Sequence, residues 1–548
     1  MNSAKFKNMP SLSKETLKLT EQYQLWKKSL RPKEGVATIH VDEFASKIAG
    51  FYEKIREIVD WKEQHLMRRA AITRKLKRLF LNWELISANS KNGIAEPLVL
   101  ELIRGGHFPN DKIEESKIGE VQKIVDKYTF FLKNSPQLES GRRKLQFHNW
   151  LLEVAACEIE EALAPSLREK ALIGYMFESM KEKIKLSEKI ITSRILNEEE
   201  KNIQIYIAVQ QALFKLDSPI ISYNLLKYRY SQWNNASPEF ILDIAHNIYK
   251  IWDQIEGKFS NPLGKKFYAI CEKYDTPYLL LGDILSEEDP AGAAEKLSNP
   301  ENLETLTVKA YKKRLSTLKT RLGRAAFYST LSILLTNAFS MFIIEIPVAK
   351  LLFGSFTLVT MLVDVLGPTF LMFLFVVTIK LPPKSNLNIV ILETMKIVYE
   401  GEKRDIYQIN FPRKRGIITK FIIGFIYLLG AIFSLGAVYG IFLMAKFPPT
   451  SVFLNLVFVA LITFAGIAIR KRAEELTVEE KPGGILSFFA DVLLLPVASL
   501  GGWISRKWKR YNAIAAFFNA LIDMPFTMFL EFLEKWRFFL KEKKEEIH

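Results

Sequence analysis

Four long apolar runs between Ala325 and Arg470 constrain this chain more than anything else in it. They cover residues 325–346, 355–379, 417–444 and 451–469. A bilayer's hydrocarbon core is about 30 Å thick and a helix rises about 1.5 Å per residue, so each run is about long enough for one crossing. In lipid the backbone must satisfy its own polar groups, which leaves the helix as the form such a run takes. Runs one and two are joined by Glu345-Ile346-Pro347-Val348-Ala349-Lys350, and runs three and four by Lys446-Phe447-Pro448-Pro449-Thr450. Short proline-containing joins predict two helical hairpins, hence four spans.

The basic residues orient them. Lys309, Lys312, Lys313, Arg314, Lys319, Arg321 and Arg324 precede the first run, and Arg470-Lys471-Arg472 follows the fourth. Between runs two and three stand Lys380, Lys384, Lys396, Lys403, Arg404, Arg413, Lys414 and Arg415, whereas the hairpin tips hold only Lys350 and Lys446. Lysine and arginine are retained on the cytoplasmic side during insertion. The basic connections and both termini are therefore expected in the cytosol. Cys157 and Cys271 are then expected as free thiols in a reducing compartment. The formal net charge of +16 points to anionic lipid headgroups. The N-terminal stretch lacks a following apolar core, so no cleavable signal peptide is expected.

The fold class expected is all-α, in three parts. Residues 1–320 form a cytosolic helical domain, 321–470 a transmembrane domain with a cytosolic loop at 380–416, and 471–548 re-entrant or interfacial amphipathic helices with a cytosolic tail. Apolar positions at three-to-four spacing, with proline and glycine breaks, predict helices over 13–30, 97–104, 116–133, 141–163, 166–191, 198–216, 237–256 and 262–274. A longer stripe runs from Asp42 to about Ile86, and 286–303 reads as a linker with a short helix. Within 380–416, residues 388–399 are apolar enough to dock on a surface.

Chemistry-bearing signals are few. Arg68, Arg69, Arg74, Lys75, Lys77 and Arg78 form a basic patch that fits nucleic acid or lipid phosphate, but no aromatic side chains interleave with it as in a stacking platform. A solvated helix face is the simpler reading, and nucleic acid is not the expected partner. His246 shares a helix face with Asp243 near Glu239, yet a bundle metal site needs a second Glu-x-x-His set and the sequence holds none. No P-loop, Gly-x-Gly-x-x-Gly or Gly-x-Ser-x-Gly occurs. No cofactor, metal or catalytic residue is assigned.

The apolar runs say more. Asp364 lies near the middle of the second run, with Gly367-Pro368 just beyond. A charge at the bilayer centre costs ~2.5–3.5 kcal/mol on insertion scales, so it should face other helices or water. Run one offers Ser329, Thr336, Asn337 and Ser340 as partners, and run four offers Asn455. The set is either a hydrogen bond that glues spans together or a hydrophilic path. Gly436-x-x-x-Gly440 permits close helix approach, within the chain or to a second copy.

Beyond the fourth run, residues 484–505 are apolar, contain Asp491 and Pro496, and are followed by Arg506, Lys507, Lys509 and Arg510. A fifth span would put that basic cluster outside. The expectation is a re-entrant or interface-lying hairpin broken at Pro496 and Gly501-Gly502, its cations on lipid headgroups. The aromatic stretch 511–540 should lie in the headgroup plane. Residues 491–503, Ile522-Asp523-Met524-Pro525-Phe526 and 531–544 resemble the C-terminal end of poorly characterised multi-span bacterial membrane proteins, some of which carry a site-specific recombinase label. The resemblance covers about the last 60 residues and implies a bacterial cytoplasmic-membrane protein; no recombinase site accompanies it. The expected role is a non-enzymatic scaffold or membrane-organising protein with a protein partner. The alternatives are a transporter, channel or lipid-moving protein using Asp364, and membrane-tethered nucleic-acid binding.

Overall fold

The computed structural model describes residues 11–30, 35–41, 64–81, 93–136, 141–192, 196–288, 292–347, 351, 358–399, 405–410, 416–444, 447, 449–478, 485–510, 532 and 536. The stripe from Asp42 to residue 63, Lys350 and Lys446 of the two hairpin tips, and nearly all of the aromatic C-terminal stretch lie outside them. The chain divides into two compact units: Leu17–Asp275 with Asp405–Ile409, and Thr276–Arg404 with Asn410–Ala515 and the N-terminal residues to Thr16. It is mostly helical.

The first unit takes in most of α1 (Lys14–Ser29), then α2 (Gln64–Leu81), α3 (Ala95–Arg104), α4 (Ser116–Asn134), α5 (Arg142–Leu163) and α6 (Leu167–Lys183). Strand β1 (Ile184–Leu186) and α7 (Glu188–Thr192) follow, then α8 (Glu198–Phe214), α9 (Ser218–Arg229), α10 (Pro238–Phe259) and α11 (Gly264–Lys273). Helix α5 is the axis of this unit, packed by α2, α4 and α9. Phe147, Trp150, Leu151, Val154, Ala155 and Ile159 bury its faces. Ser237 caps its helix as the sequence predicts, whereas Ser116 does not cap α4, whose N-cap is Glu115 with no side-chain bond. The side chains of Asn197 and Ser237 accept from the backbone N–H groups of Glu200 and Phe240, with Pro238 opening α10 behind Ser237.

Two features correct the sequence reading. Residues 166–191 are not one helix. The chain turns extended at Ile184 and pairs in parallel with β2 (Tyr407–Ile409), Ile184 opposite Tyr407 and Leu186 opposite Ile409. The pattern of 166–191 contains no sign of this, because the partner lies more than 200 residues away. Helix α9 was not anticipated, although Asp217-Ser218-Pro219 carries the start signal that marks α10.

The second unit holds α12 (Asp275–Glu287), α13 (Ala293–Ser298), α14 (Pro300–Ser340), α15 (Leu358–Val377), α16 (Ser385–Val398), α17 (Ile417–Met444), α18 (Pro449–Ala473) and α19 (Ile485–Arg510). Among the described residues three helices are long and apolar enough to cross a membrane, over Pro300–Ile343, Ile417–Phe442 and Val452–Ala473. The second predicted span corresponds to α15, 20 residues long. Helix α14 joins a polar half to an apolar one without a break: Arg314 binds the Asp283 carboxylate, whereas Phe327, Leu335 and Phe339 further along are exposed. On α17, Phe421, Phe425, Ile432, Phe433 and Ile441 are all exposed. A solvated helix of this composition would be untenable, but lipid accepts it.

Helix α16 is held by one side chain. Asn386, 1% exposed, donates to the Tyr311 hydroxyl at 3.0 Å and the Leu476 carbonyl at 2.7 Å, and accepts from the Val478 N–H at 2.9 Å. Three separated stretches of chain thereby meet at a single amide.

The hairpin expected at 484–505 is absent: α19 is one helix of 26 residues with Pro496 inside it. The residues read as breaks are contact points. A proline cannot donate to the carbonyl four residues back, here that of Val492. That carbonyl lies so close to Gly430 of α17 that a Cβ on the glycine would sit 2.5 Å from it. A Cβ on Gly501 would sit 2.0 Å from the Ala460 carbonyl oxygen of α18, and one on Gly502 3.1 Å from Phe464. Proline and glycine here let backbones approach between helices, a use no local pattern distinguishes from a turn.

Candidate functional site

The apolar helices converge on a buried polar pair. Asp364 sits on α15 and Asn455 on α18, and these helices pack against each other. They are 5% and 2% exposed, and Asn455 Nδ2 donates to Asp364 Oδ1 at 2.6 Å. Four residues along α15, buried Pro368 interrupts the ladder, since it has no N–H to offer the Asp364 carbonyl. Asp364 thus brings both a carboxylate and a backbone carbonyl without its helical donor into one apolar neighbourhood.

Asn337 adds a third polar group. It lies on α14, which packs on α15 and α18, and is 3% exposed. Neither its side-chain oxygen nor its nitrogen has a hydrogen-bond partner among the described residues. Thr336 is exposed, and Ser340 is half-buried on the same helix. Of the predicted polar set, the structure joins Asp364 to Asn455 and buries Asn337. An interhelical hydrogen bond of this kind contributes ~0.6 kcal/mol on average in a membrane, up to ~1.7.

The other predicted residues distribute differently. A Cβ on Gly436 or Gly440 meets nothing within 4 Å, so the chain's own tight contacts are made at Gly430, Gly466 and Gly501. Arg506 is exposed at the end of α19; the backbone of Lys507, Lys509 and Arg510 continues that helix, and their side chains lie outside the described residues. In the basic patch, Arg69 pairs with Asp217, and Lys75 and Arg78 reach Glu101 at 2.7 and 2.6 Å. Burial lowers the Lys75 ammonium despite the attraction of Glu101, while the Glu101 carboxyl lies below its ordinary value because its two cations outweigh its own burial. Arg68 stacks over the Phe108 ring. Arg74 is exposed and Lys77 half-buried.

Cys157 and Cys271 are free and buried, and burial pushes both thiols up. Among the described residues no group of three His, Cys, Asp or Glu side chains could hold a metal ion. Sequence reasoning passed over Glu158, which sits inside the first unit against Lys127, Tyr128 and Trp233. Partners 30 to 75 positions apart carry no spacing signature. Compared with models of protein families, with curated proteins and with solved structures, the chain matches none.

Proposed function

We propose that this chain is a multi-pass protein of the bacterial cytoplasmic membrane that acts as a non-enzymatic scaffold, with four spans and both termini in the cytosol. Helix α15, about 30 Å long at 20 residues, supplies the fourth span beside the three long apolar helices. The observation that carries the reading is the pair at Asp364: the carboxylate is bound by an amide of a neighbouring helix, as a bond holding spans together would be. The helical mass of the first unit offers a surface for a protein partner, and the cations at 506–510 meet anionic headgroups. The resemblance of the C-terminal residues supports the bacterial membrane setting.

A second reading has an observation of its own. Asn337, buried with both amide atoms unpartnered, is what a hydrophilic path beside Asp364 would supply to a transported ion or headgroup. Flux in reconstituted liposomes separates the two. The scaffold reading expects ion, proton and lipid flux at the protein-free background in wild type and in Asp364→Asn alike. Flux present in wild type and lost in the variant would replace it with the transporter.

Orientation has a separate test. In a background lacking Cys157 and Cys271, single cysteines at Lys350 and Lys446 are expected to react with an impermeant external maleimide, and one at Glu474 is expected not to. External labelling at Glu474 would overturn the four-span arrangement.

A further inference from the structure

The C-terminal turn of α5, the start of α6 and the start of α9 enclose a hollow in the first unit. Its cavity volume is about 60 Å³. That is room for several waters or a small organic ion. Three carboxylates line it, those of Glu160, Glu161 and Glu169, and the two adjacent ones on α5 differ in one respect. Glu161 is neutralised by Lys170 and Lys227, the latter at 2.6 Å. Glu160 is 9% exposed, and its carboxylate makes no hydrogen bond or ion pair with any described residue. Arg68 and Arg69 are the cations that act on it; Arg68 lies over the Phe108 ring and Arg69 pairs with Asp217.

A carboxyl this buried, with no donor among the described residues, depends on what fills the hollow. Burial pushes the Glu160 carboxyl up to about 8. Ionised, it can only accept hydrogen bonds, so the group that completes it must donate and carry positive charge. A divalent metal wants several anionic ligands at once; Glu161 is spent on two lysines, and among the described residues no group of three His, Cys, Asp or Glu side chains could hold one. An ammonium needs one carboxylate and some space. The same hollow has an apolar part, lined by Ile173, Leu216 and Ile220, besides the polar side chains of Ser166, Lys170 and Asn224. We propose that this hollow binds a small organic ammonium ion, with Glu160 as its counter-ion and Ile173, Leu216 and Ile220 against its carbon chain.

The test uses the full chain in nanodiscs of neutral phosphatidylcholine, n-butylammonium as the probe and saturation-transfer NMR as the readout. Saturable binding is expected, at least tenfold tighter than that of uncharged n-butanol. Glu160→Gln should weaken it at least tenfold, and Ala164→Leu, which fills the hollow from its edge without touching a charge, should abolish it. Wild-type affinity should also change with pH. The amine stays protonated up to pH 9, while Glu160 is neutral below about 8 and ionised above. Binding should therefore strengthen from pH 6.5 to 9 and level off above the carboxyl's own value.

Other charges act on Glu160 and set the baseline for that titration: Arg68 and Arg69 from α2, Glu169 from α6 and Asp217 at the start of α9, while Lys170 and Lys227 bind the neighbouring Glu161. Glu161 and Cys157 share its own helix. Glu160→Gln should melt above wild type at pH 9, where the buried charge is fully present in the latter. Should it melt below, Ala164→Leu and the wild-type pH series decide. Binding no tighter than n-butanol, or unchanged by Ala164→Leu, or flat with pH, would overturn the proposal.

Discussion

Replacing Glu158 with Ala is expected to lower the thermal midpoint of the first unit by roughly 10 °C, the largest single-residue loss this chain should show. Glu158 sits on α5, 4% exposed, and three groups depend on it. Lys127 Nζ donates to one carboxylate oxygen at 2.5 Å and to the Trp233 carbonyl at 3.0 Å. The Tyr128 hydroxyl and Trp233 Nε1 donate to the other oxygen at 2.8 and 3.1 Å. With the carboxylate gone, an ammonium that is 7% exposed has no counter-charge, and two more donors lose their acceptor. Breaking a buried pair by removing one partner costs ~3–5 kcal/mol, because the surviving charge stays desolvated. Burial already lowers the Lys127 ammonium even with Glu158 in place. The double change Lys127→Met with Glu158→Ala should recover part of the loss, since no orphan charge then remains. Circular dichroism of the full chain at a fixed scan rate is the measurement. A midpoint within 2 °C of wild type for Glu158→Ala would show that the network carries no stability.

Gly501→Leu is expected to be the most damaging change in the apolar helices, above about 3 kcal/mol. Overpacking a tight contact ordinarily costs 1–3 kcal/mol. Here the first added carbon would lie 2.0 Å from the Ala460 carbonyl oxygen and 2.5 Å from its carbon, both backbone atoms, so α19 must move off α18. The shift would propagate to Gly430, where α17 receives the Val492 carbonyl. The comparison that gives the test its force is Gly436→Leu and Gly440→Leu. Those glycines meet nothing within 4 Å, and the same substitution should stay within about 0.5 kcal/mol of wild type. Thermal midpoints of all three variants in one detergent decide the matter. Equal losses at Gly436 and Gly501 would mean that the Gly436-x-x-x-Gly440 face is covered too, by a second copy of the chain.

The helical core of the first unit was largely legible in the sequence. Ser237-Pro238 marks a helix start because a capping side chain followed by proline is a local signal, and the structure caps α10 there; α4 begins at Ser116 without using its hydroxyl as a cap. Residues 417–444 form α17 over the same span that their apolar run predicts. Asn455 could be named among the partners of Asp364 because few polar residues occur in such runs. Which of the offered groups takes the bond depends on how three helices are rotated, and composition carries no rotation. Glu160 and Glu161 make the same point in the first unit. They are adjacent, chemically alike and line the same hollow, yet one is bound by two lysines and the other by none.

Hydropathy over 20-residue lengths, proline and capping chemistry act within a few turns of helix, so the sequence by itself determined that the chain is helical and which stretches are apolar enough to cross a membrane. Tertiary structure decided what the punctuating residues do. Pro496 and Gly501-Gly502 have the composition of a turn, and become contact points because α17 and α18 lie against them and supply the packing that repays a missing hydrogen bond. Strand β1 exists because residues 407–409 arrive beside it, and the Lys127–Glu158 network because α4 and α5 bring it together. Each of these rests on a pairing across the chain whose energy is realised only once both partners are in place.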